Sequence, residues 1–137
     1  MTAAILELPW TAPPLTLNQR RATKGAMFAH ARTVAEVRGT VHRLAQGAQL
    51  PRDLAHVTVQ LHYRPRDNRR RDTDNLVATL KPACDGLAAG TAKYPGYGLV
   101  ADDIPRFMAK PEPIIHPAER GKVGALWLEI TWDTEEA

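Results

Sequence analysis

Cysteine is almost missing from this sequence of 137 residues, because Cys84 is the only one. A single thiol cannot form a disulfide within the chain, which fits a reducing compartment, and we expect the cytoplasm. Long apolar runs are missing as well: no stretch approaches the roughly 20 residues that span a bilayer, so we expect no membrane partner. Residues 1–10 carry Glu7 and lack a basic segment, so no secretory signal peptide is predicted.

The remaining composition is that of an ordinary globular protein, with 44% hydrophobic and 24% charged residues. A chain of this length can bury one proper core but is too short to build two. We therefore expect a single domain over residues 1–137.

Basic residues are unevenly distributed, although the net charge is only +3. They concentrate in the first third and the centre of the chain, at Arg20, Arg21, Lys24, Arg32, Arg38, Arg43, Arg64, Arg66, Arg69, Arg70 and Arg71. A basic patch attracts nucleic acid through phosphate contacts and counterion release. A solvated basic surface without a partner explains the same pattern equally well.

Apolar periodicity predicts four strands and two helices in the order β-α-β-α-β-β. The strands are expected over Ile5–Trp10, His56–Tyr63, Ile104–Lys110 and Leu126–Trp132, and the helices over Ala26–Ala45 and Thr73–Leu87. This order indicates an α+β domain in which one mixed sheet of about four strands packs against two helices. The first two strands should be joined by a right-handed crossover if they are parallel neighbours, and the last connection is short enough for the final two strands to pair.

Some polar and reactive residues within these elements have ordinary structural explanations. His56 and His62 lie on the wetter face of the second strand, and no acidic residue stands beside them at ligand spacing. We interpret them as surface histidines rather than metal ligands. Cys84 belongs to the apolar stripe of the second helix and is expected to be a small buried hydrophobe.

The stretch with the strongest chemical character joins three arginines to two carboxylates, in the order Arg69-Arg70-Arg71-Asp72-Thr73-Asp74-Asn75-Leu76. Fixed positive charge beside clustered oxygen ligands suits the binding of a phosphodiester backbone against a divalent metal. The arginines would also keep both aspartates ionised. Acidic residues are favoured at a helix N-terminus in any case, which explains one of the two aspartates without a metal.

Helix geometry places Asp74, Ala78, Lys81 and Asp85 on one stripe, opposite the apolar face. A lysine there could neutralise phosphate charge. Pro82 disfavours helical geometry at Lys81 and suggests a kink, and Asp85 could equally be a salt-bridge partner of Lys81. The pair Asp102-Asp103 follows later, where two acids are either distant ligands brought in by the fold or a turn signal.

Together these motifs resemble the RusA family of Holliday-junction resolvases. The resemblance begins with Leu8-Pro9-Trp10 and Asn18, continues through the arginine–aspartate stretch and Lys81-Pro82-Ala83-Cys84-Asp85-Gly86-Leu87, and ends at Leu99-Val100-Ala101-Asp102-Asp103. It covers nearly the whole chain. The ordered set of motifs is far more specific than any one of them.

The resemblance implies that Asp72, Asp74 and Asp103 bind Mg²⁺, with Mn²⁺ as a possible substitute, and that Asp102 is a neighbour of less defined role. Lys81 would match the catalytic lysine of the family. That lysine usually follows the second aspartate by one helical turn, where this chain has Ala78. The resemblance also implies a homodimer whose two active sites each nick one strand of a four-way DNA junction.

The sequence therefore predicts a Mg²⁺-dependent endodeoxyribonuclease that acts on Holliday junctions in DNA recombination and repair. Arg69, Arg70 and Arg71 are expected to bind the DNA backbone, and a basic segment with Asn18, Arg20, Arg21 and Lys24 is either a DNA-contacting arm or a connector. Tyr94 and Tyr97 are further candidate contacts to the junction or the second protomer. Two alternatives remain: a nuclease acting mainly on flaps and forks, and a non-catalytic module that binds branched DNA.

Overall fold

The computed structural model of the chain describes residues 1–16 and 23–133. The elements within these residues are β1 (Thr2–Glu7), α1 (Lys24–Gly47), β2 (Val57–Arg64), α2 (Asp74–Leu87), β3 (Met108–Ala109), β4 (Ile114–Ile115) and β5 (Ala125–Trp132). This part of the chain thus forms two helices and one mixed sheet of five strands. The expected α+β class is confirmed. No helix in the described ranges is long and apolar enough to cross a membrane.

The short strands are where the sequence prediction was wrong. The strand expected over Ile104–Lys110 is mostly a turn, because the backbone N–H groups of Phe107 and Met108 both donate to the carbonyl of Ile104. Only two residues remain to pair as β3. β4 was missed because prolines at positions 111, 113 and 117 surround it, and proline normally argues against a strand. β1 also begins and ends earlier than predicted, since Pro9 cannot donate to a sheet.

The order of strands in the sheet is β1-β5-β2-β3, and β4 also pairs with β2. β5 is antiparallel to both β1 and β2 and lies between them. The first two strands are therefore not neighbours, so the condition on which the right-handed crossover was predicted is not met. The final two predicted strands do not pair either, because β3 is parallel to β2 at the edge.

The apolar core lies between the sheet and the two helices. Val59 and Leu61 of β2 and Leu128 and Ile130 of β5 are fully buried, as the alternation of apolar and polar residues predicts. Cys84 on α2 is buried with them, and burial raises the pKa of its thiol to about 12. The interpretation of this cysteine as a small buried hydrophobe is confirmed.

The two helices approach each other closely at Gly86. A Cβ atom at this position would collide with the backbone carbonyl of Arg38 on α1. α2 continues through Pro82, which is buried inside the helix and does not end it. The contact at Gly86 therefore sets where the exposed stripe of α2, with Lys81 and Asp85, stands relative to α1.

We expect Gly86→Ala to lower the free energy of unfolding by about 1–3 kcal/mol, because the added methyl group must push the two helix backbones apart. Chemical denaturation followed by circular dichroism measures this change. Gly47→Ala is the matched control: nothing lies within 4 Å of a Cβ at Gly47, so this variant should be neutral or slightly stabilised. Equal stability of both variants would contradict the close contact.

Candidate functional site

The first group of candidate residues lies at the N-terminus of α2, where Asp74 is the first helical residue. The Oδ1 atom of Asp72 accepts a hydrogen bond from the backbone N–H of Asp74 at 3.1 Å, and both side chains are exposed. Thr73, the N-cap residue, makes no side-chain capping bond and donates instead to Glu112 at 2.5 Å. Asp72 therefore has the structural role expected of an acidic residue at a helix start. The carboxylate of Asp74 does not have that role.

The second group of candidate residues surrounds Lys81, which lies further along the same helix. Its ammonium lies 2.6 Å from Oδ2 of Asp103 and 3.1 Å from Oδ1 of Asp85. The ammonium of Lys110 lies 3.6 Å from the same Asp103 oxygen. Asp102 contributes differently, because its Oδ1 accepts the backbone N–H of Asp103 at 2.7 Å. The salt bridge between Lys81 and Asp85 that the helical spacing allowed is thus present, and Pro82 does not disturb it.

Asp103 reaches this position because the loop after α2 is tied to the end of the helix. The backbone N–H of Leu99 donates to the carbonyl of Leu87, and the N–H of Ala89 donates to the carbonyl of Val100. Gly90 has a φ of 71°, a conformation that side-chain-bearing residues rarely adopt. The glycine-rich loop therefore folds back on the helix and delivers the aspartate to Lys81.

In this second group the pKa values of the carboxyl groups of Asp85 and Asp103 are shifted in opposite directions. Burial opposes ionisation of Asp103, but hydrogen bonds from Lys81 and Asp85 and the positive charge of Lys110 outweigh it and hold its pKa well below the usual range. Burial raises the pKa of Asp85, and its hydrogen bond with Asp103 raises it further. The hydrogen bond to Asp103 raises the pKa of Lys81. Asp103 therefore ionises at a lower pH than Asp85, beside a lysine whose pKa is raised.

The two acidic groups are separated along α2. Asp74 precedes Lys81 by seven residues, which corresponds to about 10 Å of helix rise. Within residues 1–16 and 23–133, no three His, Cys, Asp or Glu side chains lie close enough to share a metal ion. Carboxylate oxygens suit Mg²⁺ in chemical type, but this structure holds Asp72 and Asp74 in one place and Asp85 and Asp103 in another.

The three arginines before Asp72 are not equivalent. The guanidinium of Arg71 donates to the backbone carbonyls of Asp67 and Arg69 at 2.8 and 3.0 Å and to the Asp67 carboxylate at 2.8 Å. It also lies over the ring of Tyr63. These bonds hold the loop in shape, so Arg71 has a structural role that the run of three arginines did not reveal.

Arg69 and Arg70 face different surroundings. Arg69 is paired with Asp67 at 3.2 Å but remains 70% exposed. Arg70 is exposed and makes no hydrogen bond or ion pair with any described residue. It lines a cavity of about 630 Å³, together with Asp72 and Asn75. Arg70 is therefore the arginine best placed to bind an incoming anion beside the acidic residues.

The other predicted contacts to DNA or to a second protomer are only partly described. Asn18, Arg20 and Arg21 lie outside the described residues, whereas Lys24 is exposed as the first residue of α1. Tyr97 is buried, and its hydroxyl donates to the carbonyl of Leu50, so it is a core residue. Tyr94 remains 52% exposed, next to the guanidinium of Arg38.

The interpretation of His62 as a surface histidine was wrong. His62 is buried, and its two ring nitrogens lie 2.8 Å from Nε2 of His116 and 3.0 Å from Oε1 of Glu129. Trp127 stacks against both imidazole rings. The sequence could not reveal this group, because His62 is separated from His116 by 54 residues and from Glu129 by 67. His56 is half-buried before the start of β2.

No family model matches the sequence, and no match was found among curated proteins.

We expect Arg71→Gln to lower the free energy of unfolding by about 1–3 kcal/mol, because it removes charged hydrogen bonds that hold the loop. Arg70→Gln is the matched control and should change it by less than about 0.5 kcal/mol, since Arg70 has no described partner. Thermal unfolding of both variants makes the comparison. An unstable Arg70→Gln beside a fully stable Arg71→Gln would contradict this division of roles.

We also expect stability to fall on mild acidification because of His116. Burial and the positive charges of His62 and Arg64 lower the pKa of His116 below its usual 6.5. The unfolded chain then binds the proton first, so the contribution is fully present above about pH 6.5 and is lost as the pH falls towards the folded-state value. Thermal midpoints between about pH 8 and pH 5 should therefore slope less in His116→Gln than in the wild type. Identical slopes would show that His116 carries no such linkage.

Proposed function

We propose that this chain is a Mg²⁺-dependent endodeoxyribonuclease that resolves Holliday junctions by paired symmetric nicks, in DNA recombination and repair. The observation that carries the proposal is the position of Lys81 between Asp85 and Asp103, on the same exposed stripe of α2 that begins at Asp74. The arginine-rich loop runs directly into that stripe. A lysine, carboxylates and an arginine without a described partner are the kinds of group that phosphodiester cleavage uses.

In this proposal Asp72, Asp74 and Asp103 bind the metal ion, with Asp102 beside them, and Mn²⁺ can take the place of Mg²⁺. The bound ion would polarise the phosphate and lower the pKa of a water molecule. The oxygen donors fit such an ion in type. Because the described carboxylates lie in two groups, the proposal requires that each group be tested separately.

The side chains of the protein have roles of their own in the proposal. The Lys81 ammonium supplies fixed positive charge at the negatively charged phosphate, and Asp103 and Asp85 hold it in place at 2.6 and 3.1 Å. Arg70 binds the phosphate backbone from the cavity that it shares with Asp72. Arg69 adds a second, more exposed cation, and Arg71 keeps the loop in the shape that presents both.

Two further features complete the proposal. Symmetric nicking of opposed strands needs two active sites related by a two-fold axis, so we propose a homodimer. We place the protein in the cytoplasm, where its one cysteine, buried in the core, would stay reduced.

A second candidate is a non-catalytic module that binds branched DNA. It is favoured by two contacts: Asp72 is engaged at the helix start, and Lys81 already neutralises Asp103. In that case the acids are structural and the basic loop alone binds DNA. A nuclease with a preference for flaps and forks is separated from a resolvase by the choice of substrates in the test below.

The test incubates the purified protein with an end-labelled mobile four-way junction, a flap, a fork and a linear duplex, with Mg²⁺ or with EDTA. We expect paired symmetric nicks in the junction alone, and only with Mg²⁺. Asp74→Asn and, separately, Asp103→Asn should each reduce nicking by about a hundredfold or more, since each removes a charged ligand. Junction affinity should persist in both variants.

Asp53→Asn is the matched control, because Asp53 is exposed and precedes β2, at the end opposite the arginine-rich loop. It removes the same unit of charge and should nick as the wild type does. Undiminished nicking by Asp74→Asn at unchanged affinity would refute the proposed site. Binding without nicks at any Mg²⁺ concentration would favour the non-catalytic module.

A further inference from the structure

Asp67 is an acidic residue inside the most basic loop of the protein, and three arginines surround it. Its Oδ1 accepts hydrogen bonds from the backbone N–H of Arg69 at 3.2 Å and from the guanidinium of Arg71 at 2.8 Å. Nε of Arg69 lies 3.2 Å from both carboxylate oxygens, and Nε of Arg66 lies 3.7 Å from Oδ2. The Asp67 carboxylate is thus coordinated by two hydrogen-bonding arginines and a main-chain donor, with a third arginine nearby.

Arginine side chains and a backbone N–H that converge on one point are also a common way for proteins to bind a phosphate group. Guanidinium groups and backbone N–H donors that converge on one point suit any compact oxyanion, and a carboxylate and a phosphate present similar acceptors. The hydrogen bonds from Arg69 and Arg71 hold the pKa of Asp67 well below its usual range. The anion-binding position of the loop is therefore filled from within the chain.

The arginines at this position also face open space. Arg66, Arg69 and Arg71 line a second cavity, of about 360 Å³, which Tyr63 also lines. Arg66 and Arg69 are 74% and 70% exposed. An anion that approaches through this cavity meets their guanidinium groups directly, in competition with Asp67.

The loop does not depend on the Asp67 carboxylate alone for its shape. Arg71 also donates to the carbonyls of Asp67 and Arg69, and these bonds use main-chain atoms that no side-chain substitution removes. Arg71 would therefore keep its place if the carboxylate were displaced. Arg69 and Arg66 are the two cations that displacement would release.

We propose that Asp67 occupies a subsite for a backbone phosphate of DNA and acts as an internal competitor for it. DNA must displace the carboxylate from Arg69 and Arg66 before that subsite can bind, which lowers the affinity of the protein for every DNA that uses the loop. This inference rests on the proposed function, since DNA must be the ligand. It goes further by assigning a position to one phosphate and a restraining role to one acid.

The test measures binding without cleavage, by fluorescence anisotropy of a labelled four-way junction and a labelled linear duplex in EDTA at several salt concentrations. Asp67→Asn keeps the size of the side chain and one acceptor oxygen but removes the charge. We expect its dissociation constant to fall about two- to fivefold at low salt for both DNAs, the range of one exposed ion pair. The slope of log affinity against log salt should steepen by about 1, the value for one more phosphate contact.

Controls separate this subsite from a general change in charge. Asp53→Asn, which loses one negative charge far from the loop, should leave the slope as in the wild type. Arg69→Gln should weaken binding more in the Asp67→Asn background than in the wild-type background, because only there is Arg69 free to bind phosphate. Asp67→Ser serves as a second uncharged variant, and the thermal midpoint of each variant verifies that it is folded.

The outcomes are distinct. If the wild type binds DNA with a salt-dependent affinity but Asp67→Asn and Asp67→Ser match Asp53→Asn in both affinity and slope, the internal competitor is refuted and the proposed function stands. If the wild type shows no affinity for either DNA, the proposed function fails and this inference fails with it. A steeper slope restored to the wild-type value by Arg69→Gln supports the subsite.

Discussion

The ion pair between Lys81 and Asp103 is the contact on which the arrangement of the polar surface depends. It joins α2 to a segment that follows the helix after a long glycine-rich loop, and a backbone hydrogen bond from Leu99 to Leu87 brings that segment into reach. Since Asp103 is buried and ionised, an unpaired carboxylate there would be costly. The ion pair thus holds Lys81 in position. In the proposed function, this ammonium would bind a phosphate without first having to be ordered.

The basic loop before α2 shows how a run of identical residues can divide its roles. Arg71 donates hydrogen bonds to main-chain carbonyls, and Arg69 donates to the Asp67 carboxylate. Arg70 makes neither kind of contact among the described residues. A sequence of three arginines indicates an affinity for anions but not which guanidinium is available. Electrostatic attraction that depended on all three would be stronger and less selective than attraction that depends chiefly on one.

The sequence was most informative where a pattern is local. The two helices and the long strands β2 and β5 follow from apolar periodicity, and the salt bridge of Lys81 with Asp85 follows from helical spacing. The pairing of β5 between β1 and β2, the burial of His62 against Glu129 and the capture of Arg69 by Asp67 could not be predicted in the same way. The first two depend on strands that meet only in the folded chain, and the third on a turn whose geometry has no periodic signal.

The central position of β5 has a consequence for how this protein is made. β1 and β2 each pair with β5 and not with each other, so neither has its main partner until residues 125–132 have left the ribosome. The edges of β1 and β2 that pair with β5 therefore stay open until residues 125–132 have been made, and open strand edges can associate with other chains. Pairing between the ends of the chain also makes contacts of large sequence separation, which slows folding. Loss of β5 through premature termination would leave an aggregation-prone fragment rather than a smaller stable domain.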